Sequence, residues 1–310
     1  MTINPKILFN PNNLFNLSMN RRQIILFACS AILVIATNSC VYQSGRNSES
    51  NNLSANIVNG NQANAPKTNK PDENKKSDDG DFLVEHMAVS NARYAEIDRQ
   101  IKDEKLIEKA ADKLNRSLML PYDIKLITKD CKEINAFYDS DARSVTVCYE
   151  LMEHFYNVFR AGGFSEEKSY KKMSDAVRFA FLHEIGHALI DVYNLPITGS
   201  EEDAADRCSA FINLTELGED GVNTVMTAAE AFEIESKNIA PSKRNPADEH
   251  LLQEQRFYNS LCMIYGSNTT KYADILEKKK LPRERALKCP QEYERMVDSW
   301  KILLAPWRRS

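Results

Sequence analysis

Two histidines and a glutamate stand close together in the segment His183-Glu184-Ile185-Gly186-His187. Because residues four positions apart lie on one face of a helix, the imidazoles of His183 and His187 can bind a single ion. Glu184, one position round the helix, can reach a water molecule held on that ion. The spacing therefore predicts a Zn2+ site with Glu184 as its general base.

The residues around this motif have the pattern of a helix from 176 to 193, with an apolar run and no proline before Pro196. Ile185 and Gly186 are uncharged and slim, as a helix buried beneath a metal requires. The alternative is an ordinary amphipathic helix whose two histidines happen to lie four apart. That alternative leaves the acidic residues of the next predicted helix unexplained.

A third ligand is expected from this next helix, which opens at Ser200, a natural N-cap followed by acidic residues. We predict Glu202 as the ligand, because two imidazoles and a carboxylate suit zinc in tetrahedral geometry, with a water in the fourth position. Asp206 shares the face of Glu202 and can accept a hydrogen bond from the free ring nitrogen of a ligand histidine.

Two further carboxylates compete for these roles. Glu201 is the alternative third ligand, since it aligns with Ala205 and Cys208 and this alignment favours burial of Glu201 over Glu202. Asp191 lies one turn beyond His187 and is either an alternative orienting residue for that histidine or a solvated side chain.

The His-Glu-x-x-His motif followed by Glu-x-x-x-Asp resembles the gluzincin metallopeptidases, the thermolysin-like group. Residues 135–138 also resemble the edge strand with which those enzymes hold substrate. More closely, the chain from about Met119 to Pro306 resembles a bacterial family of exported metallopeptidases of unassigned function. Four segments carry this resemblance: residues 181–191, 201–206, 248–250 and 254–259. It implies zinc at His183, His187 and a downstream Glu, with Glu184 as base, and it implies no known substrate.

A third histidine, His250, follows Asp248 and Glu249 at the predicted opening of a helix, where Asp248 is a plausible cap. A protonatable group there could hydrogen-bond the oxyanion formed on attack at a carbonyl. The alternative is a surface histidine, and Tyr258 and Tyr265 are rival donors to the oxyanion.

The composition suits one globular domain plus appendages: 310 residues, 43% apolar and 27% charged. The net charge of −4 is mild, so neither nucleic acid nor an anionic membrane surface is an expected partner. A peptide or protein substrate is the expected partner, and the sequence leaves the oligomeric state open.

The N-terminal segment, residues 1–40, is predicted to be an export signal. A mostly apolar run at 24–36 follows two arginines, and Cys40 comes directly after Ser39, as at a lipoprotein cleavage site. Translation from Met19 would give the signal ordinary proportions. We therefore expect an exported, cell-envelope protein that touches the membrane only through a lipid on Cys40. Simple secretion and an uncleaved anchor are the alternatives.

The cysteines fit an oxidising compartment. We predict two disulfides, Cys131–Cys148 across a hairpin and Cys262–Cys289 across a C-terminal loop, with Cys208 buried in its helix. The alternative is that all of them are reduced.

Residues 41–85 are polar and are predicted to be a disordered linker, and 86–310 the folded domain. The fold class is α+β and zincin-like, with a small sheet beside the His-Glu-x-x-His helix and a mainly helical C-terminal part. Strands are expected at 122–128, 135–138 and 144–149. Helices are expected at 92–117, 149–161, 166–193, 200–216, 222–237, 247–265, 270–278 and 290–303.

The resulting hypothesis is an exported zinc metallopeptidase that hydrolyses peptide bonds, with an edge strand at 135–138 or 144–149 pairing with the peptide. The alternative for these strands is a hairpin that only covers the core. The alternative is a zinc-containing binding or scaffold lipoprotein without catalysis. Such a protein would close the fourth coordination position with a protein ligand and would not need Glu184.

Overall fold

A four-stranded sheet precedes most of the helices in a computed structural model that describes residues 77–309, apart from the side chains at 96, 100, 104 and 106. The strands are β1 (Phe82–His86), β2 (Ile124–Lys129), β3 (Ala136–Asp139) and β4 (Ser144–Cys148), in the order β1-β2-β4-β3. β1, β2 and β4 are parallel to one another, whereas β3 pairs antiparallel with β4. The two edges of the sheet are therefore β1 and β3.

The helices of the described residues follow one another with short connections. They are α1 (Ala95–Glu104), α2 (Leu106–Ser117), α3 (Tyr149–Ala161), α4 (Glu166–Val192), α5 (Glu201–Glu216), α6 (Gly218–Asn238), α7 (Gln253–Ser267), α8 (Asp274–Glu277), α9 (Arg283–Ala286) and α10 (Cys289–Leu304). The α+β prediction is confirmed, with the small sheet beside α4 and a mainly helical C-terminal part.

The long helix α4 forms the centre of the core, in contact with α3, α5, α6 and the sheet. Its start is fixed by Ser165, whose side chain accepts a hydrogen bond from the backbone of Lys168. Ile185 and Leu189, on the buried face, are fully excluded from solvent. Burial of this apolar face supplies most of the helix's stability.

Helix α5 packs against α4 at unusually close range because small residues meet there. A Cβ atom added to Gly186 would lie 3.0 Å from Ala205 Cα and 3.0 Å from Cys208 Cβ. Ser209 reinforces the contact by donating its hydroxyl to the Phe179 carbonyl at 2.8 Å. The slim residue inside the motif thus allows α4 and α5 to bring their polar side chains together.

Three expectations about the elements are corrected. β1 overlaps the end of the range 41–85 assigned to a linker, so folded structure begins by Phe82. The predicted helix 92–117 is broken at Lys105, whose φ of 51° is left-handed and ends α1. The predicted helix 247–265 begins only at Gln253, because the Gln255 side chain accepts the Leu252 backbone N–H and so caps the helix there.

Both predicted disulfides are present. Cys131–Cys148 joins the loop after β2 to the end of β4, with a Cα–Cα distance of 5.5 Å, and Cys262–Cys289 joins α7 to α10 at 5.0 Å. Cys208 is unpaired and buried, as expected. The described part of the chain contains no helix with the length and hydropathy of a membrane span. The predicted signal segment, Cys40 and the linker up to residue 76 lie outside the described residues.

Candidate metal centre

Three side chains from α4 and α5 converge on one point. The Nε2 atoms of His183 and His187 lie 3.1 Å apart, and Glu202 Oε2 lies 3.1 Å from the first and 3.5 Å from the second. We call His183, His187 and Glu202 the metal cluster. All three are largely withdrawn from solvent, with side-chain exposures of 5%, 13% and 17%.

The spacing of these donor atoms fits zinc. Zinc–nitrogen and zinc–oxygen bonds of about 2.0–2.1 Å in a tetrahedron place neighbouring ligand atoms about 3.3 Å apart. The three observed distances lie on either side of that value. Two imidazole nitrogens and one carboxylate oxygen are also the donor set that borderline ions such as zinc prefer. The metal cluster can therefore hold this ion with its donors almost where they now lie.

His183 is oriented by a chain of charged groups. Its Nδ1 atom is 2.8 Å from Asp206 Oδ1, which leaves Nε2 free for the metal cluster. Asp206 is held in turn by Arg256 of α7, which donates Nε and Nη2 at 2.8 and 2.7 Å. The Arg256 guanidinium also lies over the Phe232 ring, 4.2 Å from its centre. Asp206 therefore lies against the ring nitrogen of His183 that faces away from the metal cluster.

Arg256 is the functional residue that the sequence analysis missed. The signal for Arg256 in the sequence is its place within residues 254–259, one of the segments that carry the family resemblance. Its side chain is only 13% exposed. A buried arginine requires a buried anion nearby, and the anion here is Asp206.

His187 has a different orienting partner from the one expected. Its Nδ1 atom is 2.8 Å from Glu201 Oε1. Glu201 therefore fixes the His187 ring from the side opposite the Nε2 atom that belongs to the metal cluster. Glu201 is also the more exposed of the two glutamates, at 54% against 17% for Glu202, which reverses the expected order of burial. Asp191 instead accepts a hydrogen bond from the Tyr138 hydroxyl at 2.8 Å.

Hydrogen bonds between histidines and carboxylates shift the pKa values of the metal cluster. Burial disfavours a charged His183, but hydrogen bonds to Asp206 and Glu202 outweigh burial and raise the pKa of His183 to about 9. Burial works against ionisation of Glu202 as well, and hydrogen bonds from the three histidines nevertheless bring its pKa well below the usual range. The metal-free cluster is thus charged, and a divalent ion would displace the proton from His183.

Glu184 lies beside the metal cluster and is buried. Burial raises the pKa of its carboxyl, and the positive charges of His183 and His187 offset part of that rise. A carboxylate with a raised pKa is a better proton acceptor at neutral pH than an ordinary glutamate.

His250 lies in the loop just before α7, not at the first turn of a helix. Its Nε2 atom is 2.8 Å from Glu202 Oε2, and its ring stacks on the His183 ring with centroids 5.8 Å apart. The backbone N–H of His250 donates to Asp248 Oδ1 at 3.1 Å. The structure thus brings His250 to the metal cluster. Neither Tyr258 nor Tyr265 lines the cleft around this cluster.

The metal cluster, Glu184, Glu201 and His250 line one open cleft of about 670 Å3, a size typical of ligand sites. One wall is the edge strand region, Asn135–Tyr138, and the floor is the His-Glu-x-x-His turn of α4. Residues 200–202, Glu249 and His250 complete its lining. An extended chain could therefore lie between the strand and the metal cluster.

A second group of possible ligands, Cys131, Cys148 and Glu150, is explained without a metal. The two cysteines form a disulfide, so neither offers a thiolate. Glu150 accepts backbone hydrogen bonds from Cys131 and Lys132 at 3.0 and 2.8 Å.

A family model described as "Putative metallopeptidase" covers residues 86–304, which include every group of the cleft. No curated protein and no solved structure matches the chain.

Proposed function

Because the chain belongs to the family described as "Putative metallopeptidase", we propose that it is an exported zinc-dependent peptidase. The observation that carries this proposal is the metal cluster, whose three donor atoms lie at tetrahedral spacing beside the buried Glu184 and in an open cleft. Zinc, the reaction and export are the parts of the proposal that extend beyond the family.

His183, His187 and Glu202 would hold the zinc, with the two imidazoles fixed by Asp206 and Glu201. When bound, the ion supplies Lewis-acid chemistry: it polarises a carbonyl and makes water more acidic.

Glu184 is the proton carrier of the proposed reaction. Its carboxylate accepts a proton from the attacking water and passes that proton to the leaving amine. Its burial excludes bulk water from the proton transfer. Its raised pKa lies closer to the pKa of the amine that receives the proton than the pKa of an ordinary glutamate does.

His250 stabilises the oxyanion that develops on the substrate carbonyl. Its Nε2 now contacts Glu202 and would turn to the substrate by a small movement of an exposed loop, since the side chain is 47% exposed. A hydrogen-bond donor that points at the developing negative charge stabilises the transition state and so lowers the activation free energy substantially.

The edge strand β3 supplies the peptide-binding surface. Its second side is not paired to a strand of the sheet, and residues 136–138 line the cleft. A peptide can add to this edge by backbone hydrogen bonds, which accept many sequences. This arrangement supports a peptide or protein as substrate over a small metabolite.

The cellular setting of the proposal is the envelope or the outside of the cell. Two disulfides favour an oxidising compartment. A lipid on Cys40 would keep the protein on a membrane, and simple secretion is the alternative. No nucleic-acid partner is proposed, given a net charge of −4.

A Glu184→Gln variant separates catalysis from a non-catalytic zinc scaffold. We expect it to keep one zinc per chain and to lose peptide hydrolysis by at least about 100-fold, because proton transfer contributes on that scale. The measurement is zinc content together with cleavage of a peptide mixture followed by mass spectrometry. The control is Glu167→Gln, the same change at an exposed position of α4. Equal hydrolysis by both variants, or none by the zinc-loaded wild type, would contradict the proposal.

A further inference from the structure

A disulfide lies where the chain leads into the strand that borders the cleft. We call residues 131–135 the connecting segment, because they come after β2 and run to the start of β3. The first residue of this segment, Cys131, is bonded to Cys148 at the end of β4. Its last residue, Asn135, lines the cleft together with Ala136. The disulfide is therefore joined to the cleft lining by one short stretch of chain.

The connecting segment is held at its two ends and has little support between them. At the first end, the Glu150 carboxylate accepts two backbone N–H groups, those of residues 131 and 132, at 3.0 and 2.8 Å. At the other end, the Asn135 carbonyl accepts the backbone N–H of Cys148 at 3.1 Å. Residues 132–134 are exposed, so burial does not fix the middle of the segment. Cys148 thus holds both ends, one by a covalent bond and the other by a hydrogen bond.

The two disulfides differ in their access to solvent. Cys131 is half-buried, whereas Cys148, Cys262 and Cys289 are fully buried. A reductant must reach a sulfur atom in order to attack it, and exposed disulfides are the labile ones. Mild reduction should therefore open the Cys131–Cys148 bond and leave the Cys262–Cys289 bond closed.

We propose that the Cys131–Cys148 disulfide positions Asn135 and the start of β3 for peptide binding, and that its reduction lowers the affinity for peptide. This inference rests on the proposed function, because a peptide is the ligand that it concerns. Without the covalent bond, hydrogen bonds alone hold an exposed segment, so the wall of the cleft at Asn135 becomes mobile. The metal cluster lies on α4 and α5, outside this segment, and keeps its zinc.

The reductant in this proposal is a dithiol. Its thiolate attacks the Cys131 sulfur, the S–S bond breaks, and the Cys148 sulfur leaves as a thiolate that takes up a proton. The second thiolate of the reductant then attacks the mixed disulfide and releases Cys131 as a thiolate, which is protonated in turn. Two electrons thus pass from the dithiol, which becomes a disulfide, to the protein, which gains two thiols. Because an oxidising compartment closes the bond, the chain would bind peptides well only after export.

The first test compares the zinc-loaded full chain before and after treatment with dithiothreitol and removal of that reductant under nitrogen. Alkylation and mass spectrometry should find new thiols at Cys131 and Cys148 and none at Cys262 and Cys289. With fluorescein-labelled casein as substrate, we expect KM to rise about 10-fold and kcat to stay within about 2-fold, because binding is lost equally from the ground state and the transition state. Zinc content should not change, and reoxidation should restore KM.

A protein with both Cys131→Ala and Cys148→Ala should have the KM of the reduced enzyme and should no longer respond to dithiothreitol. The matched control carries Cys262→Ala and Cys289→Ala, which remove the disulfide between α7 and α10. Neither of these two cysteines lines the cleft, so the control should keep the KM of the wild type and its response to the reductant. If a double variant does not fold, the reduced and reoxidised wild-type protein decides.

Binding separates this inference from the proposed function. The zinc-loaded Glu184→Gln protein is titrated against labelled casein and followed by fluorescence anisotropy, with expected binding about 10-fold weaker after reduction. Weaker binding after reduction, together with no cleavage by the wild type, would overturn the peptidase and leave the positioning role. Cleavage with KM and binding unchanged by reduction, equal effects of the two double variants, or loss of zinc on reduction would overturn the positioning role and leave the peptidase.

Discussion

Removal of the Arg256 guanidinium should weaken both the fold and the grip on zinc. In an Arg256→Met protein, the aliphatic stem is kept and Asp206 loses two charged hydrogen bonds of 2.7 and 2.8 Å. The two side chains are only 13% and 18% exposed, so water cannot replace the lost partner well. Asp206 would remain as a buried carboxylate with His183 as its remaining charged neighbour.

The expected loss of unfolding free energy is about 3 kcal/mol for the metal-free protein. Breaking a buried ion pair costs roughly 3–5 kcal/mol, and the lower end applies because His183 still binds Asp206. Zinc affinity should fall by about 10- to 100-fold, as is usual when the residues that orient a ligand histidine are disturbed. The assays are urea unfolding with chelator present and zinc titration against a competing indicator.

The matched control is Arg207→Met. Arg207 pairs with Asp203 on the outer part of α5 at 2.7 Å, but both side chains are about 30% exposed, so the change should cost under about 0.5 kcal/mol and leave zinc affinity intact. The reasoning is refuted if Arg256→Met matches this control in both measurements. An Arg256→Lys protein should fall between the two, since a lysine cannot form the double contact.

Two further predictions concern the metal-free protein and the contact between helices α4 and α5. Since the pKa of His183 is about 9 when folded and 6.5 when unfolded, the stability that His183 contributes is fully present below pH 6.5 and disappears as pH rises through 9. In urea unfolding with chelator present, we therefore expect His183 to contribute roughly 2–3 kcal/mol less stability at pH 9.5 than at pH 6. A stability that does not change with pH over this range would contradict the raised pKa of His183. Gly186→Ala adds a Cβ at 3.0 Å from Ala205 and Cys208, so it should cost about 1–3 kcal/mol and reduce zinc affinity. Gly199→Ala, with open space around it, is the control, and equal effects of the two would contradict the close-approach argument.

The metal cluster could be predicted from sequence because its geometry is local. Helix periodicity alone puts His183 and His187 on one face, and the N-cap signal at Ser200 locates the start of the helix that carries Glu202. The choice between Glu201 and Glu202 could not be decided in the same way. It depends on the rotation of α5 about its axis, which packing at Gly186 and Ala205 sets.

The rest depends on contacts between distant parts of the chain. Strand β1 pairs with β2 in parallel, across two helices, so its pairing carries no turn signal. Lys105 adopts a left-handed backbone that its residue type does not favour. Arg256 meets Asp206 from fifty residues away. None of these follows from periodicity or spacing within a short segment.

The hydrogen bond between Tyr138 and Asp191 joins the edge strand to the same helix that carries the motif. Asp191 lies two turns beyond Glu184 on α4. The strand is therefore anchored to the helix that carries Glu184, the proposed base. A peptide paired with β3 would then have a fixed position relative to α4. Motion of outer loops would leave this position unchanged. In the proposed reaction, the distance between Glu184 and the scissile bond would therefore be set by α4 alone, instead of by several mobile loops.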